Sequence, residues 1–443
     1  MLRTHAVRPG EWFSRKGRLM CDSAISRRRF LKGAAACALG LPYVITSSAL
    51  GADGKAPAGE RIGLGLIGLG SRGSQIMGGF LGGGTECVAV CDVWENRREA
   101  VRRHLGGRCA AYNDFRDVLA RPDVDAVVVA TPEYWHSVIV VMAARAGKDI
   151  YCEKALSVTV AEGQAMVDAV RRYGRVFQHG TQQRSDTNFR FACELVRNGR
   201  IGRLQTITAA VPASEAAGIR RPAPVPKELD YDMWVGPSPW VPHCGQAGIG
   251  HPGWCFHSDF TPGFILTWGV HHLDIAQWAN DTELSGPVEF EGRGTFPRDG
   301  YDDVVQTWHA ECRYANGVRL VFTSENEQPN GVRFEGDAGW IFVTRGAIEA
   351  GPPSLLKSAI RPGEVNLYRS GDHAANFLEC VRTRRPTVAP VDAAHRSTTI
   401  GLVSNIAILL GRRLRWDPGR ETFPDDDEAN RMLRRALRAP WRL

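Results

Sequence analysis

Three glycines in the order Gly68-x-Gly70-x-x-Gly73 stand between an apolar run, "RIGLGLIGLG", and a stretch of helical pattern, "SRGSQIMGGFL". That placement restricts the fold more than any other feature of the chain. A glycine at 68 permits the tight turn out of a strand, one at 70 lets backbone approach a pyrophosphate, and one at 73 lets the helix lie close on the strand. The helix would then aim free N–H groups and the positive end of its dipole at phosphate oxygens. Asp92 closes the next strand-like run, "ECVAVCD", nineteen residues beyond Gly73, where a carboxylate accepts from both ribose hydroxyls. Strand, loop, helix and acid in this register predict a dinucleotide site. The acid repels a 2′-phosphate, which favours NAD, while Arg97 and Arg98 keep NADP open.

The rhythm around that loop predicts the architecture. "VDAVVVATP" and "DIYCEK" read as further buried strands, and "ENRREAVRRHL", "WHSVIVVMAARAGK" and "TVAEGQAMVDAVRRYG" as helices, the last opened by Thr159 with Glu162 three residues on, a capping box. After "DTNFRFACELVRNGRIG" the pattern turns to strands with hairpin signals at Ala315-Asn316-Gly317 and Asp337-Ala338-Gly339. The expected class is α/β: an N-terminal Rossmann doubly wound parallel sheet over 60–184, then an α+β domain with a mostly antiparallel open sheet over 185–370. Helices over 371–443 are expected to pack on the body.

Residues 1–52 hold nine Lys or Arg against two Asp or Glu, so they carry the whole net charge of +7 and the remainder is balanced. The body therefore offers no electrostatic case for nucleic acid. The excess sits in Ser26-Arg27-Arg28-Arg29-Phe30-Leu31-Lys32, followed by an apolar segment broken by Gly33, Gly40 and Pro42 and by small residues near Gly51 and Ala52. Charge, apolar run and cleavage-like site in that order predict an export signal. Its paired arginines resemble the twin-arginine route, which moves folded proteins. The export machinery is thus an expected partner, and the expected location is periplasmic or otherwise extracytoplasmic, with a membrane tether where the leader is retained. Nine cysteines follow the leader, none as Cys-x-x-Cys. Cys87 and Cys91, four apart on one strand, stand roughly 13 Å apart, too far to bridge. Buried thiols are expected rather than a disulfide scaffold.

"TPEYWH" and "YCEKALSVT" fall at carboxyl ends of parallel strands, where ligands bind in this architecture. With the glycine loop, "GTQQRSDTNFRFACELVRNGRIGRL", "DYDMWVGPSPWVP", "GVHHLDIAQW" and "RAPWRL", they resemble the glucose–fructose oxidoreductase/inositol dehydrogenase/rhizopine-catabolism (Gfo/Idh/MocA) family from Arg61 to the end. The resemblance implies an NAD(P)-dependent oxidoreductase acting on a sugar or polyol hydroxyl with a tightly bound cofactor, and a homo-oligomer. Lys154 matches the lysine of the family's Glu-Lys-Pro motif, beside the nicotinamide and the reacting hydroxyl. His271 matches the histidine of its Asp-x-x-x-His motif, which exchanges the hydroxyl proton. The cofactor set expected beside Gly68, Gly70, Gly73 and Asp92 is Arg72, Thr131, His136, Glu153 and Lys154. Arg184, Trp254 and His272 are candidate substrate contacts.

Two departures from the family pattern stand at the reacting end. The proline after Glu-Lys is Ala155, and the aspartate four residues before the histidine is Thr267, which supplies no charge to orient an imidazole. Asp259, His272 and Asp274 are candidate replacements. These departures keep two alternatives open: redox-neutral glycoside cleavage or epimerisation on bound NAD, and a catalytically silent sugar-binding protein. "PHCGQAGIGHPGWCFHSD" gathers histidines, cysteines and an acid, but its spacing fits no zinc pattern, so no metal is expected and the stretch reads as a mobile substrate loop. Its histidines could supply the second acid/base that redox-neutral chemistry needs. Of Trp234, Trp240, Trp254, Trp268 and Trp278, most are expected to pack and one or two to line a pocket.

Overall fold

Short apolar runs with no alternation require burial on both faces, and the computed structural model provides it. Its described residues are 60–214, 220–324 and 328–443; the leader and its export signal lie outside them. Strands β1 (Ile62–Ile67), β2 (Thr85–Cys91), β3 (Ala110–Tyr112), β4 (Ala126–Val129), β5 (Asp149–Cys152) and β6 (Phe177–His179) form one parallel sheet in the order β3-β2-β1-β4-β5-β6. Every residue of β1 and β4 is buried. The helices Ser71–Phe80 and Glu95–His104 contribute Met77, Phe80 and Val101 to the core on one face. Helices His136–Arg145 and Val160–Arg172 contribute Val138, Val141, Met166 and Val170 on the other. The strand order reverses direction between β1 and β4, and the crevice at that switch point is where such sheets bind ligands.

The capping box at Thr159 is half formed. Its hydroxyl accepts from Glu162 N at 3.2 Å, but the Glu162 carboxylate turns to Ser137 Oγ (2.8 Å) and Arg435 Nε (2.7 Å). The acid thereby pins the chain's C-terminal segment to the first domain.

The second sheet runs β13-β12-β11-β7-β10-β9-β8-β14, from β7 (Leu204–Ala210), β8 (Pro287–Thr295), β9 (Thr307–Tyr314), β10 (Arg319–Thr323), β11 (Gly331–Gly336), β12 (Trp340–Thr344), β13 (Ala347–Gly351) and β14 (Leu414–Arg415). Only β7 and β10 pair in parallel; both expected hairpin turns are present. Burial alternates along β9 and β12 because one face alone is covered. The cover is made by helices Thr187–Arg197, Gly269–Ala279 and Val391–Leu410. Gly269–Ala279 is buried at every position, which explains why its sequence shows no amphipathic stripe. It lies so close to the sheet that a Cβ on Gly269 would stand 2.5 Å from the Phe322 ring. Two terminal helices bind the body together. His373–Thr383 returns to the first domain, where Phe377 meets Phe80 and Tyr151 at centroid distances of 6.2 and 6.0 Å.

The stretch read as a mobile substrate loop contributes core instead. Trp254, Cys255, Phe256 and Phe260 are buried, and Phe260 lies 4.9 Å from the Tyr134 ring. Among the described residues no group of three or more metal-capable side chains converges, and the nine cysteines are free thiols.

Candidate active site

A cleft of about 670 Å³ opens at the switch point and reaches into the second domain. Its first wall is the glycine loop. Gly68 has φ +87°, and a Cβ there would meet the Ala130 carbonyl carbon at 2.6 Å; a Cβ on Gly73 would fall on the Gly68 carbonyl oxygen. Gly70 differs. Among the described residues the one neighbour within 4 Å of a Cβ there is Arg97 Nη1 at 3.5 Å, so a side chain would fill the cleft and not the protein. Gly70 also precedes the helix Ser71–Phe80, whose N-terminus has no side-chain cap. Asp92 receives Leu69 N (2.7 Å) on Oδ2 and Trp94 N (2.8 Å) on Oδ1. Burial raises its pKa against the lowering effect of those hydrogen bonds and of Arg97 and Arg98. A dinucleotide fits this wall: a backbone cradle free of side chains, unpaired N–H groups at a helix start, and an acid fixed from beneath. Arg98 is engaged with Asp92 O and Asn113 Oδ1, while Arg97 lies over Trp94, 5.2 Å from its ring.

The ends of β4 and β5 supply the floor. Thr131 lines the cleft with its hydroxyl unpartnered. Arg72 reaches over to Glu153, Nη2 to Oε1 at 2.8 Å, and Tyr151 and the Lys154 backbone add longer contacts to the same carboxylate. Lys154 also lines the cleft and donates from Nζ to the Thr267 carbonyl at 2.9 Å. The Lys154–Ala155 peptide is cis although no proline follows.

His271 enters from the second domain. Its ring is nearly inaccessible, borders the cleft, and leaves Nδ1 without a partner. Burial above all, then the positive charges of Lys154 and Arg345, hold its pKa well below the ordinary histidine value, so it is neutral at pH 7. None of the three candidate replacements for the missing acid touches it. Asp259 stands 3.9 Å from His257, Asp274 binds Arg184 and Ser397, and His272 faces Asn330 Oδ1 at 2.9 Å. The Thr267 side chain faces the Cys255 thiol. Packing orients His271: Trp268 meets it edge-on at 5.3 Å.

Three expected contacts require correction. His136 stands behind the cofactor wall, its nitrogens at 2.7 Å from Ala155 O and 2.9 Å from Thr131 O. It braces the two loops against each other. Arg184 is a core ion pair, not a substrate contact: it is 2% exposed, bound to Asp274 at 2.6 and 2.8 Å and to Glu283 at 2.6 Å. His272 lies beneath Trp268, stacked at 5.7 Å, outside the cleft. Trp254 does line it, with Trp234 and Trp268.

Two cleft residues were not singled out from the sequence. Glu133, within "TPEYWH", is 2% exposed; Oε1 accepts one long bond from Ala155 N (3.4 Å) and Oε2 has no partner. Burial raises its carboxyl to about 7 in spite of nearby Lys154. Its position at a strand end was the available signal. Arg345, at the β12–β13 turn, gave none, since only the folded second sheet brings it to the cleft. Of the loop histidines, His251 alone borders the cleft.

Residues 62–181 match the Gfo/Idh/MocA profile described as an oxidoreductase-family NAD-binding Rossmann fold, and residues 216–443 match the family's C-terminal alpha/beta domain. The chain is 32% identical over 340 residues to scyllo-inositol 2-dehydrogenase (NAD(+)) of Bacillus subtilis, covering 73% of this chain and 85% of that one. It is 34% identical over 143 residues to myo-inositol 2-dehydrogenase of Thermotoga maritima, but that match spans 32% of this chain and 40% of the relative. Among solved structures, aldose-aldose oxidoreductase from Caulobacter crescentus, complexed with glycerol, aligns with TM-score 0.61 at 21% identity, covering 80% of this chain and 99% of that one. The WlbA dehydrogenase of Bordetella pertussis, in complex with NADH and UDP-GlcNAcA, aligns with TM-score 0.62 at 18% identity over 81% and 98%. At such identities the structural likeness establishes the fold.

Proposed function

This chain belongs to the Gfo/Idh/MocA oxidoreductase family, and on that premise we propose that it transfers hydride between a tightly held NAD and a sugar or polyol hydroxyl carbon. The inositol dehydrogenases among its relatives support a polyhydroxylated substrate. One observation carries the reading. Lys154, from the end of β5, and His271, from a helix of the second domain, line one cleft whose other wall is the glycine loop and Asp92. Gly68, Gly70, Gly73 and Asp92 would hold the dinucleotide, and the Arg72–Glu153 pair would frame its reacting end.

A bound nicotinamide supplies the hydride acceptor. Lys154 spends one N–H on Thr267 and keeps others for an oxygen gaining alkoxide character. Neutral His271 accepts the hydroxyl proton as that character develops. Burial first, and then the positive charge of Lys154, keep the imidazole unprotonated and thus available as a base.

Glu133 favours a second reading, redox-neutral cleavage or epimerisation at the same site. A ketone formed transiently acidifies the neighbouring C–H, and removing that proton needs another base. A carboxyl held near 7 beside the cleft is poised for it. The same proposal places the enzyme outside the cytoplasm, carried folded with its cofactor loaded; the support is the order of charge, apolar run and small residues in 1–52. A cofactor without an exchangeable pool must end each cycle in its starting redox state. Self-association through the open face of the second sheet belongs to the proposal by family analogy.

The test is direct. Acid-denatured protein is expected to release stoichiometric NAD, and native protein given sugars or inositols to show nicotinamide reduction or redox-neutral product. Active material that never held nucleotide would overturn the reading.

A further inference from the structure

The charge balance of the cleft bears on its substrate. Four cationic side chains border it, Arg72, Arg97, Lys154 and Arg345, against Asp92, Glu133 and Glu153. Arg72 and Glu153 cancel at 2.8 Å. Arg97 and Asp92 belong to the ribose wall, where Arg97 Nη1 approaches Gly70 and Asp92 holds Leu69 N. The end occupied by His271 is left with Lys154, Arg345 and a Glu133 whose carboxyl, at about 7, is only part ionised at neutral pH. That end is net positive.

Arg345 has the geometry of an anion anchor. It projects from the turn joining β12 to β13, and its guanidinium lies 4.6 Å from the centroid of the Trp268 ring. Trp268 is the same ring that meets His271 edge-on, so the cation stands over the floor of the reacting end. Among the described residues no carboxylate pairs with it. Glu153 acts on it but is already held by Arg72, and desolvation, then the Arg72 charge, lower the guanidinium's pKa. The Arg345 guanidinium is solvent-exposed where it borders the cleft, with the planar N–H fork unused, so it is open to an incoming acceptor.

We propose that the substrate is an anionic sugar or polyol, whose carboxylate or phosphate accepts the Arg345 fork above Trp268 while a hydroxyl lies between Lys154 and His271. The inference rests on the assignment of Lys154 and His271 as the reacting pair. A uronate carboxylate and a phosphate ester present the same acceptor chemistry.

The experiment measures binding of D-glucuronate, D-glucose 6-phosphate and D-glucose to the nucleotide-loaded protein and to its Arg345→Gln variant by calorimetry. At least one anion is expected to bind roughly ten- to hundredfold more tightly than glucose, the range of a charged hydrogen-bonded pair. In Arg345→Gln that advantage disappears, with nucleotide content and glucose binding unchanged. A better glucuronate or a better glucose 6-phosphate identifies which anion the site takes. Failure of both anions to exceed glucose overturns the inference, as does an anion preference that survives Arg345→Gln. Loss of nucleotide from Arg345→Gln also overturns it, since Arg345 would then be a cofactor contact. Lys154→Met separates the two levels: Arg345-dependent anion binding with turnover intact in Lys154→Met would sink the reacting-pair assignment and leave the anion site standing.

Discussion

Lys154 donates its ammonium to the Thr267 carbonyl at 2.9 Å, tying the end of a Rossmann strand to the turn of helix that precedes His271. The two domains thus meet through a backbone oxygen at the position where the family's acid would stand. The side chain at 267 is turned to Cys255, so the position serves Lys154 through its main chain.

Lys154→Met should therefore act at two levels. Turnover is expected to fall about 10²- to 10⁴-fold, the range for losing an electrostatic stabiliser or proton-handling group, with bound NAD retained. Removing the ammonium also takes away a charge that depresses His271, so the acid limb of the residual pH–rate profile should move upward. An unmoved limb would show that the two groups are not coupled.

Gly70 and Gly73 should separate binding from folding. Gly73→Ala puts a methyl on the Gly68 carbonyl and is expected to destabilise the first domain by about 1–3 kcal/mol. Gly70→Val points into open cleft and should leave unfolding nearly unchanged while abolishing copurified NAD. Urea unfolding and nucleotide content, measured on both, read the two effects.

The first domain was readable because its signals are local. Glycine spacing, strand-end acids and the Thr159 cap each report on neighbours within one turn or one loop. Residues brought together over long separations were not. Arg184 reads as a substrate contact until Asp274 and Glu283, 90 and 99 residues on, are seen to enclose it. His272 and His271 are indistinguishable as adjacent letters, yet helix geometry sends one to the cleft and the other to Asn330. The Pro/Gly/Trp stretch looked loose because its aromatic partners, Tyr134 and Trp135, belong to a different motif.

Arg184 and Asp274 carry a stability prediction that follows from this correction. Both are almost inaccessible and joined by two hydrogen bonds. Asp274→Ala leaves a buried guanidinium with Glu283 as its remaining carboxylate, beside the Val388 carbonyl, and should cost about 3–5 kcal/mol. The reciprocal change at Glu283, which is partly exposed, should cost far less. Chemical denaturation of the two variants, compared at pH 7.5, gives the ratio.

Buried neutral histidines set the acid limit of the fold. His179 is pushed down to about 3 and His272 to about 4, both chiefly by burial. Unfolded chain takes up these protons near pH 6.5, whereas the native state does so only near 4 and 3, so stability falls as pH drops through that window. Each contributes a loss of about 2 kcal/mol at pH 5. Glu133, raised to about 7, works in the opposite sense and offsets roughly one of them. Unfolding free energy should decline between pH 7 and 5, most steeply below 6.5; a flat profile would show these rings to be hydrated.

Glu133 is the sharpest test of the chemistry. Its carboxyl has one unpartnered oxygen, one long hydrogen bond and a neighbouring Lys154. With burial raising it to about 7, a proton-accepting role would appear as a rate limb near that pH, rising toward the alkaline side as the carboxylate forms. Glu133→Gln preserves shape and the acceptor for Ala155 N but cannot titrate. The variant should keep NAD and lose the limb near 7, with kcat falling and KM little changed, because the group acts on a proton and not on ground-state binding. Under the redox-neutral reading the loss falls on product formation while reduction of bound NAD by the first substrate persists. Under simple dehydrogenation both persist, with a modest decrease. Stopped-flow absorbance of the nicotinamide set against chromatographic product analysis, across pH 5.5–8.5 (about one and a half units either side of 7), distinguishes the two.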